Sequence, residues 1–439
     1  MSFGKRLEAL GLLATKGFSQ REGLLRYQSR RLTFLVRYAA ENVAYYRRLF
    51  EKSGFDPRHF RGLQDLQQIP ISSKDDLLSC PPEDLISRRM KVSRLVERTT
   101  SGSTGRPFQV RCTRFEERYL STLRLRIYMK MGLKIGDRVA HIRFLTGASG
   151  DESWLRCLGR LGILRITRIN SSLSQFEIIR RLEEIQPDVI DGYCNLTSIT
   201  ADAAEQMGMR IRPRIVIVGG DVLTPKMRHR IAEAFQTQVR ETFGSHECNL
   251  MAWECRESGL LHVCEEGVIL EIVNDGLPVR VGERGEVVVT ALHSFAQPFL
   301  RYRLGDIATR GPQTCNCGLP YSTIRSIDGR IYDRIILSDG RAASPGDVLS
   351  RLEQESDWIK QYQMIQESSE LVVLRLVPKR IPEAGDLAAI HEMMERFLSP
   401  GMQHRIDLLE QIPHDRRGKY RASISKVFSN YADALENEE

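Results

Sequence analysis

The sequence predicts an α/β protein: a large N-terminal domain, residues 1–328, combining mostly parallel sheets with an antiparallel sheet, and then a small α+β C-terminal domain, residues 329–439. Three observations predict this architecture. Between residues 96 and 325 short β-branched runs alternate with stretches of helical period, the pattern of a parallel sheet with helices on its faces. Within that region residues 268–310 change character and carry hairpin signals. After Gly329-Arg330 a new strand, strand, helix pattern begins.

The elements follow in order. Residues 1–95 read as a helical lead-in, in which Leu25, Leu32, Leu35, Val36, Ala39 and Val43 keep a helical period. Ile69-Pro-Ile-Ser-Ser-Lys-Asp-Asp76 supplies a turn and a capping start for the next helix. Arg138–Phe144, Pro187–Ile190 and Arg214–Val218 read as strands, with helices over 176–185 and Pro225–Phe235. In such a sheet ligands belong at the carboxyl ends of the strands, and Gly219-Gly-Asp221 directly follows one of them. Val268–Val273, Asp275-Gly276 and Gly285–Thr290 form the hairpin-rich part. The C-terminal unit shows strands near 361–366 and 371–377, a helix over 386–397 and an Arg/Gly/Lys loop at 416–419.

Composition bounds the class. The chain has 439 residues, 41% of them hydrophobic and 27% charged, which is ordinary for a globular protein with a substantial core. No apolar run is long enough for a membrane span, and Met1-Ser-Phe-Gly-Lys-Arg lacks the apolar stretch of a secretory signal. A cytoplasmic location is the expectation, with the nine cysteines reduced, buried or metal-bound. The net charge of +8 sits mainly in residues 1–50, where ten Lys/Arg face three Asp/Glu. That charge reads as the solvated face of a packed helix, not as a nucleic-acid arm.

The stretch richest in chemistry is Thr99-Thr-Ser-Gly-Ser-Thr-Gly-Arg-Pro107. Hydroxyls donate to phosphate oxygens, and glycines let backbone N–H groups curl around an anion. The Walker loop is excluded, because it needs a lysine directly after its last glycine and Arg106 stands here. Glu247 is a hard oxygen ligand suited to magnesium, and His246-Glu-Cys-Asn-Leu250 lacks the second histidine of a zinc protease. Cys255 and His262 flank a short turn, and Cys315-Asn-Cys317 lies beyond the hairpin region, together a Cys3His set typical of structural zinc. Cys248 and Cys264 compete as ligands at this stage.

Taken with three later segments, the hydroxyl loop resembles the signature of the adenylate-forming enzymes, the acyl-CoA synthetase and ligase superfamily. Gly219-Gly-Asp221 is similar to the turn that lies on the adenine, and Thr242-Phe-Gly-Ser-His-Glu247 to the aromatic-Gly-x-(Thr/Ser)-Glu motif. Arg301-Tyr-Arg-Leu-Gly-Asp306 resembles the Arg-Tyr-x-(Thr)-Gly-Asp motif, and Gly329-Arg330 the hinge. The resemblance covers nearly the whole chain and points to the phenylacetate–CoA ligases and the ligase-like proteins of capsular polysaccharide biosynthesis.

The resemblance implies an N-terminal adenylation domain and a C-terminal lid. It assigns Thr100, Ser101, Gly102, Ser103, Thr104 and Gly105 to the β- and γ-phosphates of ATP. Gly219, Gly220, Asp221, Phe243, Gly244 and Ser245 would border the adenine, Asp306 would accept the ribose hydroxyls with Arg330 assisting, and Glu247 would hold Mg2+. Lys419 would bridge the acid and the α-phosphate, a point-charge task that suits an ammonium on a flexible stem. Tyr193 and Asn195, in a segment resembling the substrate side, would face an acid, and a mostly apolar pocket would suit an aryl acid.

The implied reaction turns a carboxylic acid and Mg-ATP into an acyl-adenylate and pyrophosphate, after which a thiol, coenzyme A, takes the acyl group. Tyr332 stands where the hinge usually carries an acid, which bears on the second half-reaction. A second reading passes the acyl group to an amine or hydroxyl, and a third is a non-catalytic scaffold. A homodimer is the assembly weighed.

Overall fold

A lead-in of helices lies against the sheet that carries the rest of the large domain. The computed structural model describes residues 17–99, 108–144, 164–330, 334–343, 358–412 and 422–427, with positions 159, 162, 345, 348, 349, 351, 352 and 356. Helix α1 (Arg21–Asn42) buries Leu24, Gln28, Leu32, Leu35, Val36 and Ala39. Leu25, expected in that stripe, is 37% exposed, because Leu24 is the residue in phase with Gln28 and Leu32. Helix α2 (Ala44–Ser53) seats the buried Tyr46, whose hydroxyl donates to the Pro298 carbonyl at 3.0 Å and accepts from the Leu300 amide at 2.9 Å. Helix α3 (Lys74–Leu78) starts on the expected cap, Ser73 and Asp76 forming a reciprocal capping box.

Strands β1 (Val96–Thr99) and β2 (Gln109–Cys112) pair antiparallel, with Thr99 opposite Gln109. Helix α4 (Arg114–Met131) follows, capped by Thr113 and Glu116. A Glu116 oxygen also accepts the amides of Phe295 and Ala296 at 2.6 and 2.9 Å, stapling the helix start to the antiparallel part of the domain.

The main sheet has twelve strands. Its parallel half runs β4 (Arg165–Asn170), β3 (Arg138–Arg143), β5 (Val189–Tyr193), β6 (Ile215–Gly219) and β7 (Gln238–Ser245). The antiparallel half continues through β8 (Asn249–Glu254), β9 (Leu261–Val263), β14 (Thr323–Arg330), β13 (Tyr302–Arg310), β12 (Arg284–Ala291), β10 (Val268–Asn274) and β11 (Leu277–Pro278). The two kinds of sheet that the sequence predicts are thus one, joined where β7 pairs with β8. Helices α5 (Gln175–Ile185), α6 (Cys194–Gln206) and α7 (Pro225–Phe235) cover one face of the parallel half, and α4 the other.

The C-terminal region has its own core around Leu352, Met364, Leu374 and Met394. It holds the hairpin β15 (Ile335–Ile336) and β16 (Ala342–Ala343), and strands β17 (Ile359–Gln366), β18 (Leu371–Pro378), β19 (Gln403–Leu408) and β20 (Ser423–Ser425) in the order β19-β18-β17-β20. Helix α8 (Ala384–Phe397) packs on that sheet. Gly329 and Arg330 still belong to β14, so the large sheet reaches two residues past the boundary drawn from sequence.

Candidate active site

The carboxyl ends of β5, β6 and β7 lie abreast, with Tyr193 opposite Gly219 and Gly219 opposite Thr242. A Cβ on Gly219 would stand 2.4 Å from the Thr242 carbonyl oxygen, so only glycine permits this approach. Gly220 follows with φ +86°, and its bare Cα lies against the Tyr193 ring. The turn to Asp221 therefore presents backbone, not side chains, to the crevice where an open α/β sheet binds its ligands. Phe243, Gly244 and Ser245 complete β7, and His246 and Glu247 occupy the turn into β8.

Asp306 and Arg330 meet from neighbouring strands, Arg330 Nε donating to Asp306 Oδ1 at 3.1 Å. Asp306 is buried, so a ligand bonded to it exchanges little water. Burial pushes the Glu247 carboxyl up, Ser245 and Arg330 pull it down, and the negative charge of Asp306 raises it further. Burial likewise pushes the Lys74 ammonium down, with Glu247 opposing and Arg330 reinforcing that shift. Two carboxylates and two cations thus share one electrostatic neighbourhood. A divalent cation at Glu247 would offset the repulsion between the two acids, so this donor set suits magnesium.

Not every residue marked in the sequence joins this group. Phe243 packs in the large apolar core and is 8% exposed, which leaves little ring surface for an adenine. Asn195 lines a separate cavity with Lys226, Arg230, Lys360 and Tyr362, whereas Tyr193 stands at the glycine turn. Arg301, the first residue of its motif, spends its guanidinium on protein partners. It is 3% exposed at φ +40°, binds both oxygens of Glu271 at 3.0 Å, and donates to the carbonyls of Gln67, Ile69 and Gly276. Its role is to rivet the helical lead-in to the antiparallel half. The phosphate loop Thr100–Gly105, Tyr332 and Lys419 lie outside the described residues.

Cys255, His262, Cys315 and Cys317 do converge, their ligand atoms all within 4.8 Å of one another. Cys315 Sγ stands 3.8 Å from Cys255 Sγ, and His262 Nε2 stands 3.2 Å from Cys317 Sγ. A zinc ion with ~2.3 Å bonds to thiolates spaces two sulfurs by roughly 3.8 Å in a tetrahedron, so the donor set fits zinc. Cys248 and Cys264, the competing ligands, are not part of the group. The His262 ring packs at 4.9 Å on Trp253 of β8, so the cluster braces the strand that follows the Glu247 turn.

Two features escaped the sequence. Lys74 read there only as part of a capped turn, and nothing linear ties it to Glu247 and Arg330. The second is a polar cluster on the α4 face of the parallel half. Arg143 Nη2 donates to Asp191 Oδ1 at 2.7 Å, Tyr128 donates to Asp191 Oδ2 at 3.3 Å, and His141 Nδ1 stands 3.4 Å from that oxygen. The Arg143 guanidinium lies over the Tyr193 ring, 4.5 Å from its centroid. A chance pair of basic residues in a strand carries no such signal.

A family model described as the CapK C-terminal domain matches residues 335–426. The phenylacetate-coenzyme A ligase of Escherichia coli (strain K12) is 30% identical over 330 residues, 71% of this chain and 72% of that protein. Protein CapK of Staphylococcus aureus is 20% identical over 417 residues, 92% of this chain and 90% of that protein. Among solved structures, 2-hydroxyisobutyryl-CoA ligase in its postadenylation state with 2-HIB-AMP superposes with a TM-score of 0.75 at 22% identity, over 90% of this chain and 88% of that one. That last likeness establishes the fold: the mixed sheet with its C-terminal domain is that of the adenylate-forming ligases.

Proposed function

We propose, for a chain that belongs to the phenylacetate–coenzyme A ligase family and is an AMP-forming acid ligase, the following division of labour among its residues. The single observation that carries it is the gathering of Glu247, Asp306, Arg330 and Lys74 at the turn that leaves β7, the strand whose Thr242 pairs with Gly219. Asp306 accepts the ribose hydroxyls and is held for this by Arg330. The glycine turn lets the adenine lie flat on backbone, with Gly244 and Ser245 along its other edge. Glu247 holds Mg2+ on the phosphates, which the Thr100–Gly105 loop cradles between β1 and β2. Magnesium, when bound, neutralises the leaving pyrophosphate.

In the first half-reaction an acid carboxylate oxygen forms a bond to the α-phosphorus while the bond to pyrophosphate breaks. Two anions must approach each other, so positive charge has to come from the protein as well as the metal. Lys419 supplies it at the acid and α-phosphate. Lys74 stands near enough to Glu247 and Arg330 to add charge on the phosphate side. In the second half-reaction an acceptor attacks the acyl carbon and AMP leaves with the electron pair of the broken C–O bond. The Cys3His cluster holds zinc in a purely structural role, an aryl acid is the proposed substrate class, and the compartment is the cytoplasm.

Coenzyme A is the first acceptor proposed, and an amine or hydroxyl is the second. The observation favouring the second is that protein CapK matches 92% of the chain and its C-terminal domain matches 335–426, whereas the phenylacetate ligase matches 71%. The test is product analysis by mass spectrometry, with an acid panel and Mg-ATP, first without acceptor and then with coenzyme A. Acyl-adenylate in the first arm supports the assignment, and acyl-CoA in the second fixes the acceptor. An acyl-adenylate that coenzyme A leaves unconsumed supports the amine or hydroxyl. No adenylate with any acid overturns the proposal.

A further inference from the structure

The proposed reaction leaves one charged group at the crevice unused. Arg143 ends β3, one strand removed from Tyr193 on β5, and both lie at the carboxyl edge where the acid must enter. One arm of its guanidinium is spent on Asp191. The other, Nη1, is buried and has no hydrogen-bond partner. A buried guanidinium N–H left unmade is costly, of order ~1–3 kcal/mol, and persists where a ligand completes it.

Position and charge say which ligand. The guanidinium stacks on Tyr193, whose opposite neighbour is the Gly220 turn, so one aromatic ring separates it from the nucleotide crevice. Strand β3 lies two strands from the β6 turn, roughly 10 Å across the sheet, so the guanidinium is offset from the carboxylate being adenylated and is placed instead for the distal end of the acyl group. Arg124 of α4 adds positive charge to the same cluster, lowering both His141 and Asp191. Asp191 is the one acid acting on this group among the described residues. A buried guanidinium arm with its hydrogen bond unmade, beside a second arginine, selects a carboxylate over a neutral donor or acceptor.

We infer that the acid this enzyme activates carries a second, distal carboxylate, bound by Arg143 at the Tyr193 end of the pocket. The inference rests on the adenylation reading and narrows its substrate class. Arg143 is a specificity-determining residue that touches the substrate far from the reacting carbon.

The test compares matched acids in the acid-dependent exchange of labelled pyrophosphate into ATP: phenylacetate against 4-carboxyphenylacetate, and butyrate against glutarate. The wild type is expected to favour the dicarboxylate by at least about tenfold in kcat/KM in one pair or both, the discrimination a buried charge-assisted bond supplies. Arg143→Met is expected to reduce that ratio at least about tenfold, and Arg143→Lys to keep its direction. Because Arg143→Met strips Asp191 of its nearest cation, Arg143→Met with Asp191→Asn is measured beside it, and the same loss of ratio is expected. Preference for the monocarboxylate in both pairs, or an unchanged ratio in the methionine variants, overturns the inference while leaving the ligase reading in place. Exchange with none of the four acids, in a protein that also adenylates nothing in a broad panel, overturns both.

Discussion

Replacing Asp306 by Asn probes the nucleotide site without removing its packing. The carboxylate is 6% exposed and accepts one bond from Arg330 at 3.1 Å, which an amide oxygen can still accept. What the amide cannot do is accept two ribose hydroxyls with a full negative charge. Bonds to a charged group contribute about 1.5–3 kcal/mol and neutral ones about 0.5–1.5, so weakening one and losing the other costs about 2.5–4.5 kcal/mol, or about 70-fold or more in affinity. Calorimetric titration with Mg-ATP reads this directly and needs no knowledge of the acid. Repeating the titration with 3′-deoxy-ATP closes a double-mutant cycle: the deoxy penalty should be large in the wild type and small in Asp306→Asn. An affinity within threefold of the wild type, or an equal deoxy penalty in both proteins, refutes the assignment.

The other predictions follow from geometry and burial. Metal analysis should find one zinc per chain, and Cys255→Ser with Cys317→Ser should abolish it and lower the melting temperature; a metal-free wild type purified without chelators contradicts the site. Arg301→Met leaves Glu271 buried without its partner and should destabilise the fold by about 3–5 kcal/mol in a denaturant titration, and a loss below about 1 kcal/mol would refute the rivet. His293 is buried, accepts from Arg31 through Nδ1 at 3.1 Å, and is held neutral, its pKa lowered to about 3 by burial first and Arg31 second. The unfolded chain binds that proton below about 6.5 and the folded one does not, so this term is lost as pH falls from 6.5 towards 3. At pH 4.5 it amounts to roughly 3 kcal/mol, and His293→Gln should flatten the acid limb of the stability curve by about that much; parallel curves would contradict it.

Local signals were legible and pairings across distance were not. Helix α7 was read to the residue because Thr224 caps it and Pro225 opens it, both next to the apolar stripe. The strand expected over Pro187–Ile190 runs on to Tyr193, because Gly192 lets it pass beneath Thr197 of α6. The hairpin region of 268–310 attaches to the rest of the sheet only because β14 meets β9, His262 opposite Thr323, a contact no local pattern encodes. The Cys255, His262, Cys315 and Cys317 cluster was legible across that same distance because cysteine and histidine are scarce enough for their chemistry to mark them. Lys74 and Arg143 were missed because each is one basic residue among 64, and only the fold says which carboxylates it faces. Arg301 opens a motif legible in the sequence, but sequence cannot tell a residue that touches a ligand from one that holds the loop beside it.

The central claim is that an acid and the α-phosphate of ATP react between the glycine turn and an ammonium delivered by the C-terminal region. Exchange of labelled pyrophosphate into ATP measures that step alone, independent of any acceptor. The account predicts exchange that requires both an acid and Mg2+, is lost in Lys419→Ala, and leaves Mg-ATP binding to that variant intact. Exchange at the wild-type rate in Lys419→Ala, or none from the wild type with any acid, would contradict it.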